Sequence, residues 1–453
     1  MEKNLTSGSV FKNIVCFSLP YLLSYFLQTL YGMADLFIIG QFNGVESITA
    51  VSVGSQVMHM LTVMIVGLAM GSTVMIGQAV GAKQQKEASA VIGNTVTLFL
   101  LVSVVVTGLL LALVGPIVKV MSTPAEAVSG TTAYLTICFI GIPFITAYNI
   151  ISSVFRGLGD SKSPMYFIAV ACVINIGLDY LLIGVLHLGS AGAALGTTLA
   201  QTVSVMTALI VIRKKKAGLA VKKSDLRLKR SVMGKVLKIG IPVALQDGFI
   251  QIAFIVVTVI ANRRGINDAA AVGIVEKVIG VVFLVPSSML SAVSALAAQN
   301  IGAGKHDRAV RTLRYGVLIT TGFGLIVTAA VELWAEPIVG LFVKEKNLEV
   351  IRLGSTYIRS YIWDCIFAGI HFCFSGYFCA YGKSGISFLH NFLAIILVRI
   401  PGAYFASKFF AETLFPMGLA APAGSLLSVL ICVVAFRYLR NHKKITIDKI
   451  KSV

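Results

Sequence analysis

Four polar side chains recur at regular intervals in one apolar stretch near the N-terminus. Ser24, Gln28, Tyr31 and Asp35 are separated by four, three and four residues, so they share one stripe of an α-helix. The stretch from Asn13 to Gly40 is otherwise mostly Leu, Ile, Phe and Ala. A charge at the centre of a membrane helix costs about 2.5 to 3.5 kcal/mol on insertion scales, so an acid on this stripe indicates a water-filled cavity. Alternatively, Asp35 lies at the lipid headgroups, because Gly40 follows only five residues later.

A second polar pair lies in another apolar run. Asn175 and Asp179 are four residues apart and therefore share a helix face. If both face the interior of a helical bundle together with Asp35, two carboxylates and an amide could hold a proton or a small cation. A structural hydrogen-bond network among the same groups is the alternative, because such networks also place charged groups in protein interiors.

A third intramembrane acid, Asp364, follows Tyr361 and Trp363. Aromatic faces beside a carboxylate could line a pocket for an aromatic cation, although a polar contact between helices would leave the same pattern. His59 and His371 are single histidines in apolar runs, without partners at ligand spacing. The sequence therefore predicts no metal site.

The composition of the whole chain indicates a membrane protein. Of its 453 residues 57% are hydrophobic and 13% charged, and the mean hydropathy is +0.88, whereas soluble domains carry about 25% charged residues. The seven cysteines are odd in number and lie in apolar segments, which argues against a disulfide framework. No small-residue cleavage site follows the first apolar run, so we expect that helix to be retained.

Apolar runs of about 20 residues or more predict transmembrane helices. Twelve occur, at 14–39, 48–80, 88–114, 130–152, 164–186, 190–212, 233–261, 269–301, 312–334, 350–379, 385–409 and 414–439. Pro20, Pro143, Pro242 and Pro286 lie inside these runs and mark possible kinks.

The net charge of +19 is distributed in a way that predicts topology. Lys and Arg cluster in alternate loops, and Arg263 with Arg264 is the main exception. By the positive-inside rule both termini are cytoplasmic, in agreement with an even helix count. Nucleic-acid binding would need these charges on one folded face with aromatic residues between them, and the sequence shows neither feature. We therefore expect a multi-pass protein of the cell (inner) membrane and no nucleic-acid partner.

This topology places both candidate carboxylates of the first half near the outer surface. Helices 1 and 5 then run outward, and at 1.5 Å per residue Asp35 lies about 7 Å from Gly40 and Asp179 about 12 Å from His187.

The two halves of the chain resemble each other. Gln78, Gly81, Ala82 and Ala88 match Gln299, Gly302, Ala303 and Ala309 at a constant offset of 221, and Lys162 and Ser163 match Lys383 and Ser384 at the same offset. A basic stretch from Arg213 to Lys238 lies between the halves. Because six helices is an even number, the repeats are parallel. The predicted organisation is an N-lobe at 1–212, a cytoplasmic linker at 213–232, a C-lobe at 233–440 and a cytoplasmic tail at 441–453.

Several of these features together resemble the multidrug and toxic compound extrusion (MATE) family. They are the Asp35 helix, the Gln-x-x-Gly-Ala loops after helices 2 and 8, the Arg-Gly-Leu-Gly-Asp loop at 156–160, and the helix with Asn175 and Asp179. The resemblance covers nearly the whole chain. It implies a twelve-helix antiporter that exports organic cations in exchange for protons or sodium.

The resemblance also assigns site residues. The acidic N-lobe site of the family maps to Asp35, Asn175 and Asp179, and Asp364 matches an acid that one branch uses in its C-lobe. Helix 7 departs from that branch, because Asp247 and Gln251 stand where a glutamate nearer the helix middle is expected. Together with the polar and aromatic neighbours found above, the predicted substrate-binding residues are Gln28, Tyr31, Tyr361, Trp363 and Asp364.

We therefore predict an all-α polytopic membrane protein with twelve transmembrane helices in two parallel six-helix repeats. It acts as a monomer in the lipid bilayer on small organic cations, and needs no cofactor beyond H⁺ or Na⁺. A lipid-linked saccharide flippase is the alternative, but its cavity should carry several Arg or Lys for pyrophosphate, and apart from Lys277 and Arg399 the intramembrane charges are mainly acidic. An integral membrane enzyme would need a sizeable polar catalytic loop, and the loops of this chain are too short. Because the sequence contains no nucleotide-binding motif, we expect uphill transport to draw on an ion gradient.

The predicted topology can be tested with a single cysteine at Ser224, in the basic linker. Because positive loops remain in the cytoplasm, an impermeant maleimide added outside intact cells should leave this cysteine unlabelled until the cells are lysed. Efficient labelling of intact cells would refute the orientation.

Overall fold

The computed structural model describes residues 4–215, 222–343 and 347–451, and the regular elements within these ranges are helical. Within these ranges, eleven helices are long and apolar enough to cross a membrane, and a pair of helices bent by 49° makes a twelfth span when it is counted as one crossing. The prediction of an all-α polytopic fold with twelve spans is confirmed.

The spans have the following bounds in chain order. They are Val10–Phe42 (span 1), Val45–Gly81 (span 2), Gln85–Val120 (span 3), Val128–Ile140 with Ile142–Gly157 (span 4), Lys162–Val185 (span 5), Gly189–Lys215 (span 6), Arg230–Asn262 (span 7), Ile266–Val282 with Leu284–Gly302 (span 8), His306–Gly340 (span 9), Leu348–Tyr361 with Asp364–Ala380 (span 10), Ser384–Ala394 with Ile400–Phe409 (span 11) and Phe415–Lys451 (span 12).

Two of the four prolines singled out in the sequence coincide with breaks. Span 4 bends just before Pro143, which lies in the first turn of its second half, and span 8 breaks shortly before Pro286. Proline is tolerated in a first helical turn because the amide that it lacks would have no partner there. Pro20 and Pro242 lie inside continuous helices.

Two π-helical turns occur beside charged residues. Tyr180–Val185 ends span 5 directly after Asp179, and Ile395–Arg399 joins the two parts of span 11. Both Asp179 and Arg399 are buried. π-Helical turns are rare and frequently occur at functional sites. Asp179 and Arg399 are therefore candidate functional residues.

Packing divides the chain into two compact units. Unit 1 comprises Met1–Ala244 and Ala298–Arg308, and unit 2 comprises Leu245–Ala297 and Ala309–Val453. Spans 1 to 6 contribute to the apolar core of unit 1, and spans 7 to 12 to that of unit 2. Each unit thus buries a core of its own.

The second part of the basic linker is held against span 3. The Asn94 amide donates to the carbonyl oxygen of Asp225 (3.2 Å), and the Thr97 hydroxyl donates to that of Leu226 (2.9 Å). Residues 216–221 of the linker lie outside the described residues, and the lobe bounds predicted from the sequence stay predictions.

The matched loops after spans 2 and 8 cross each other within unit 1. A Cβ on Gly81 would lie 1.9 Å from the carbonyl oxygen of Gln299, and a Cβ on Gly302 would lie 2.0 Å from that of Gln78. The Gln299 amide also donates to the carbonyl oxygen of Gly157 (3.1 Å). Glycine is therefore required at both positions, because any side chain would displace a backbone.

The N-terminal segment lies on the same crossing. Leu5 is 2% exposed, and its backbone amide donates to Gln299 Oε1 (3.2 Å). Lys305 and Arg308 donate to the backbone carbonyls of residues 6–8 at 2.9 to 3.2 Å. The segment before span 1 thus ties the end of span 8 into unit 1.

The close contact between the loops after spans 2 and 8 predicts that one added methyl group is destabilising. Gly302→Ala should lower the free energy of unfolding by about 1 to 3 kcal/mol, because overpacking forces backbone shifts. Gly280→Ala is a matched control on the same span, since nothing lies within 4 Å of its Cβ position. Thermal unfolding in detergent measures both variants, and equal melting temperatures would contradict the close crossing.

Candidate functional site

The polar stripe of span 1 lies against other spans of unit 1. Tyr31 OH accepts a hydrogen bond from the Gln201 amide of span 6 (3.4 Å), and Gln28 interacts with Tyr148 of span 4. Ser24 is buried and donates to a carbonyl one turn earlier in its own helix (2.9 Å). The stripe therefore faces the interior of the unit, as its spacing predicts.

Asp35, Asn175 and Asp179 come together at the far end of this stripe. They are 4%, 1% and 0% exposed, and the side chain of Asp35 interacts with those of Asp179 and Asn175. Thr197 of span 6 donates its hydroxyl hydrogen to Asp35 Oδ2 (3.1 Å). Three spans thus enclose two carboxylates, an amide and a hydroxyl.

A glycine on span 6 permits this close approach. A Cβ on Gly196 would lie 2.3 Å from Asp179 Oδ1 and 3.7 Å from Asn175 Nδ2. The Asp179 carboxylate therefore rests against bare backbone, and the π-helical turn begins at the next residue.

Asp35, Asn175 and Asp179 lie against one another, but most of their polar atoms make no well-formed hydrogen bond. Asp35 Oδ1, both oxygens of Asp179 and both polar atoms of Asn175 are buried without a hydrogen bond in the described part of the chain, and neither acid takes part in a salt bridge there. Two adjacent carboxylates in a low-dielectric site strongly disfavour double ionisation. A proton or a small cation held between them would remove the repulsion.

The structure separates the residues predicted for substrate in unit 2. Asp364 and Tyr361 are 0% and 2% exposed, and Tyr361 OH accepts a hydrogen bond from the Arg399 guanidinium. Trp363 is 44% exposed and donates through Nε1 to Glu332 (3.1 Å). Tyr361 and Asp364 thus share the interior with Arg399, and Trp363 faces away from them.

A cavity of about 40 Å³ lies beside Asp364, and we call it the unit 2 cavity. Its charged and polar lining residues are Asp364, His371, Asn391, Arg399, Ser425 and Ser428. Apolar side chains of spans 7, 8, 10, 11 and 12 complete its wall. Asp247 and Gln251 of span 7 are partly buried and lie outside this lining.

Arg399 is held by aromatic rings and by acids. Its guanidinium carbon lies 4.7 Å from the centre of the Phe254 ring and 5.7 Å from that of Tyr361. Glu276 acts on it electrostatically while accepting a hydrogen bond from Thr258 (2.9 Å). Lys277, the other base noted in the sequence, is exposed.

Sequence reasoning did not single out Thr197, Gln201 or His390. Thr197 and Gln201 are four residues apart in an apolar helix, the same signal that identified Asn175 and Asp179. His390 donates to or accepts from Ser375 Oγ (2.9 Å), and its ring lies 5.4 Å from that of His371. No metal site formed by three or more His, Cys, Asp or Glu occurs among the described residues.

The chain has the architecture of a multi-pass membrane transporter. It has twelve spans, matched loops at a constant offset, and buried charges inside each unit. The sequence model of the MatE family matches residues 20–181 and 242–405. The chain belongs to the MatE family, and the resemblance noted in the sequence is confirmed. The two matched segments begin 222 residues apart, in agreement with the two repeats.

Relatives and solved structures agree with this assignment. The chain is 28% identical to "Probable multidrug resistance protein YoeA" of Bacillus subtilis strain 168, over 97% of this chain and 96% of that one. It is also 28% identical to "Probable multidrug resistance protein YpnP" of the same organism, over 96% of each. A structure described as the outward-facing conformation of a multidrug resistance MATE family transporter has the same fold, with a TM-score of 0.91 and 21% identity over 98% of each chain.

The packing of Gly196 against Asp179 generates a prediction about the acid pair. Gly196→Ala should displace the Asp179 carboxylate and lower dye efflux from cells by about ten-fold, because displacing a critical group by about 1 Å can cost more than that. Gly177→Ala is the matched control, since it lies between Asn175 and Asp179 with nothing within 4 Å of its Cβ position. Equal efflux by both variants, at equal membrane abundance, would show that the position of Asp179 is unimportant.

Proposed function

We propose that this protein is a secondary active antiporter that exports amphipathic organic cations, a multidrug efflux pump, in exchange for protons or sodium. The buried acid pair of Asp35 and Asp179 is the observation that carries the proposal. The relatives YoeA and YpnP, which are named as probable multidrug resistance proteins, support the same function.

Ion coupling is assigned to Asp35, Asn175 and Asp179. Their unpartnered oxygens supply hard ligands that suit a proton or Na⁺. Asp35 and Asp179 come from different spans, so loading and release of an ion changes the force between spans 1 and 5. This is the kind of differential interaction that a conformational change requires.

Cationic cargo is supported by the excess of acids inside the spans. Gln28 and Tyr31 continue the polar stripe away from Asp35, and in unit 2 Tyr361 and Asp364 add a ring and a carboxylate. A lipid-linked saccharide flippase is a weaker candidate, because Arg399 is the one Arg or Lys in the lining of the unit 2 cavity. Pyrophosphate recognition would use a cluster of bases.

We propose the cell (inner) membrane as the location, with both termini cytoplasmic, because the basic residues concentrate in alternate loops. The transporter is proposed to work as a monomer, since each unit has its own core and the Asp35 site is complete within one chain. Neither an enzymatic activity nor an organic cofactor forms part of the proposal.

The deciding experiment replaces Asp35 by Asn, which keeps the shape and hydrogen-bonding capacity but removes the ionisable group. Efflux of a cationic dye from proteoliposomes driven by an imposed proton or sodium gradient should fall by about ten-fold or more. Glu336→Gln is the matched control, because this acid of span 9 is exposed. Full gradient-driven efflux by a folded Asp35→Asn protein would remove this site from the mechanism.

A double substitution tests whether the two acids act as one unit. Asp179→Asn should also weaken coupling, and the double variant should cost much less than the sum of the single losses, because residues that act together are non-additive. Independent, additive losses would instead assign the two acids separate roles.

A further inference from the structure

Unit 1 contains a buried arginine that has no acid as a direct partner. Arg156 lies in the last turn of span 4 and is 6% exposed. No salt bridge joins it to a carboxylate at 4.0 Å or less in the part of the chain that the structure describes. Because an arginine stays protonated, this positive charge is permanent. A buried charge without a partner of opposite sign is costly, so its presence requires an explanation.

Two tyrosines of span 1 hold the arginine in place. Nη1 of Arg156 donates to Tyr21 OH (3.0 Å), and its guanidinium carbon lies 4.9 Å from the centre of the Tyr21 ring. Tyr21 OH in turn donates to Tyr25 OH (3.0 Å). A ring face and a hydroxyl stabilise a guanidinium without neutralising it. The charge of Arg156 is therefore fixed in position and remains uncompensated by these contacts.

A polar stripe on span 4 leads from Arg156 into the interior of unit 1. Tyr148, Ser152 and Arg156 follow each other at intervals of four residues, so they share one helix face. Tyr148 and Ser152 are 3% and 2% exposed, and Arg156 acts electrostatically on Tyr148. The Ser152 hydroxyl lies beside Tyr148, yet it makes no well-formed hydrogen bond within the described residues. The stripe thus carries polar groups that ordered water can join.

The stripes of spans 1 and 4 together connect the acid pair with Arg156. Tyr31 interacts with Asp35 on one side and with Tyr148 on the other. Along span 1, Tyr21 and Asp35 are fourteen residues apart, which corresponds to about 21 Å of helix. Hydroxyl groups both donate and accept hydrogen bonds. With water between them, these groups form a route along which a proton or a small cation can leave the acid pair.

We propose that Arg156 is an electrostatic barrier that prevents the coupling ion from leaking through unit 1. The inference rests on the proposed antiport function and adds a residue that protects the ion gradient. A fixed positive charge at the end of a polar route repels protons and Na⁺, as arginines do in other selective membrane pathways. The route ends at the side of unit 1 that the proposed topology places in the cytoplasm. Without the barrier, ions would cross there without any exchange for cargo.

Ion leak in the absence of cargo tests the barrier. Proteoliposomes receive an imposed proton or sodium gradient, and entrapped pyranine or a sodium-sensitive dye reports ion entry. Arg156→Gln should raise the rate of entry by about ten-fold or more, because a like charge a few ångströms away strongly opposes a cation at the effective dielectric of a protein. Arg156→Lys should restore most of the barrier. Lys162→Gln is the matched control, since it removes an exposed positive charge near the same end of span 4.

A second variant neutralises the barrier while keeping the arginine. Tyr25 is half-buried and its hydroxyl is bonded to the tyrosine that Arg156 contacts. Tyr25→Glu should therefore place a carboxylate near the guanidinium and also raise ion entry, whereas Tyr25→Gln should not. This pair decides the question if Arg156→Gln fails to fold.

The origin of the leaking ion is tested in the same vesicles. Asp35→Asn added to Arg156→Gln should remove most of the excess leak, because the route begins at the acid pair. A purely structural role of Arg156 would give a leak that neither Arg156→Lys nor Asp35→Asn reduces, and that result would overturn the inference.

Ion entry at the wild-type rate in folded Arg156→Gln protein would also overturn the inference. Gradient-driven efflux of a cationic dye by the wild-type protein separates this inference from the proposed function. Efflux without any excess leak in the variants removes only the barrier, whereas absence of efflux in the wild-type protein removes the antiport function itself.

Discussion

A carboxylate inside a membrane must be shielded from lipid, and unit 1 is arranged around that constraint. Asp35 and Asp179 occupy different spans, and only the packing of spans 1, 5 and 6 gives them polar surroundings. Thr197 supplies a donor, and Gly196 leaves room for the second carboxylate. Because two ionised carboxylates at this distance repel each other, a bound proton or cation would stabilise the site.

Unit 2 meets the same constraint by a different arrangement. Arg399 supplies a permanent positive charge next to Asp364 and Glu276, and aromatic rings hold it in place. An arginine cannot lose its proton in a protein, so this charge is constant. The buried site of unit 1 thus brings like charges together, whereas that of unit 2 brings opposite charges together.

Backbone contact at the loops after spans 2 and 8 forms a second organising feature. Gly81 and Gly302 allow two helix ends to approach until carbonyl oxygens fill the space of a side chain. Gln299 then bonds to Gly157 and to the N-terminal segment at Leu5. The loops that carried the family resemblance therefore meet at one place.

The sequence alone determined the class, the number of spans and the repeats, because apolar length and matched loops are local properties of the chain. It also indicated the stripe ending at Asp35 and the pair of Asn175 and Asp179, since helical spacing fixes which residues share a face. Which faces meet depends on how helices pack, and only the tertiary structure decided that. It brought Thr197 to Asp35, turned Trp363 away from Asp364, and placed Arg399 beside an acid 35 residues distant in sequence. Those contacts join residues from different helices, and no periodicity within one helix records them.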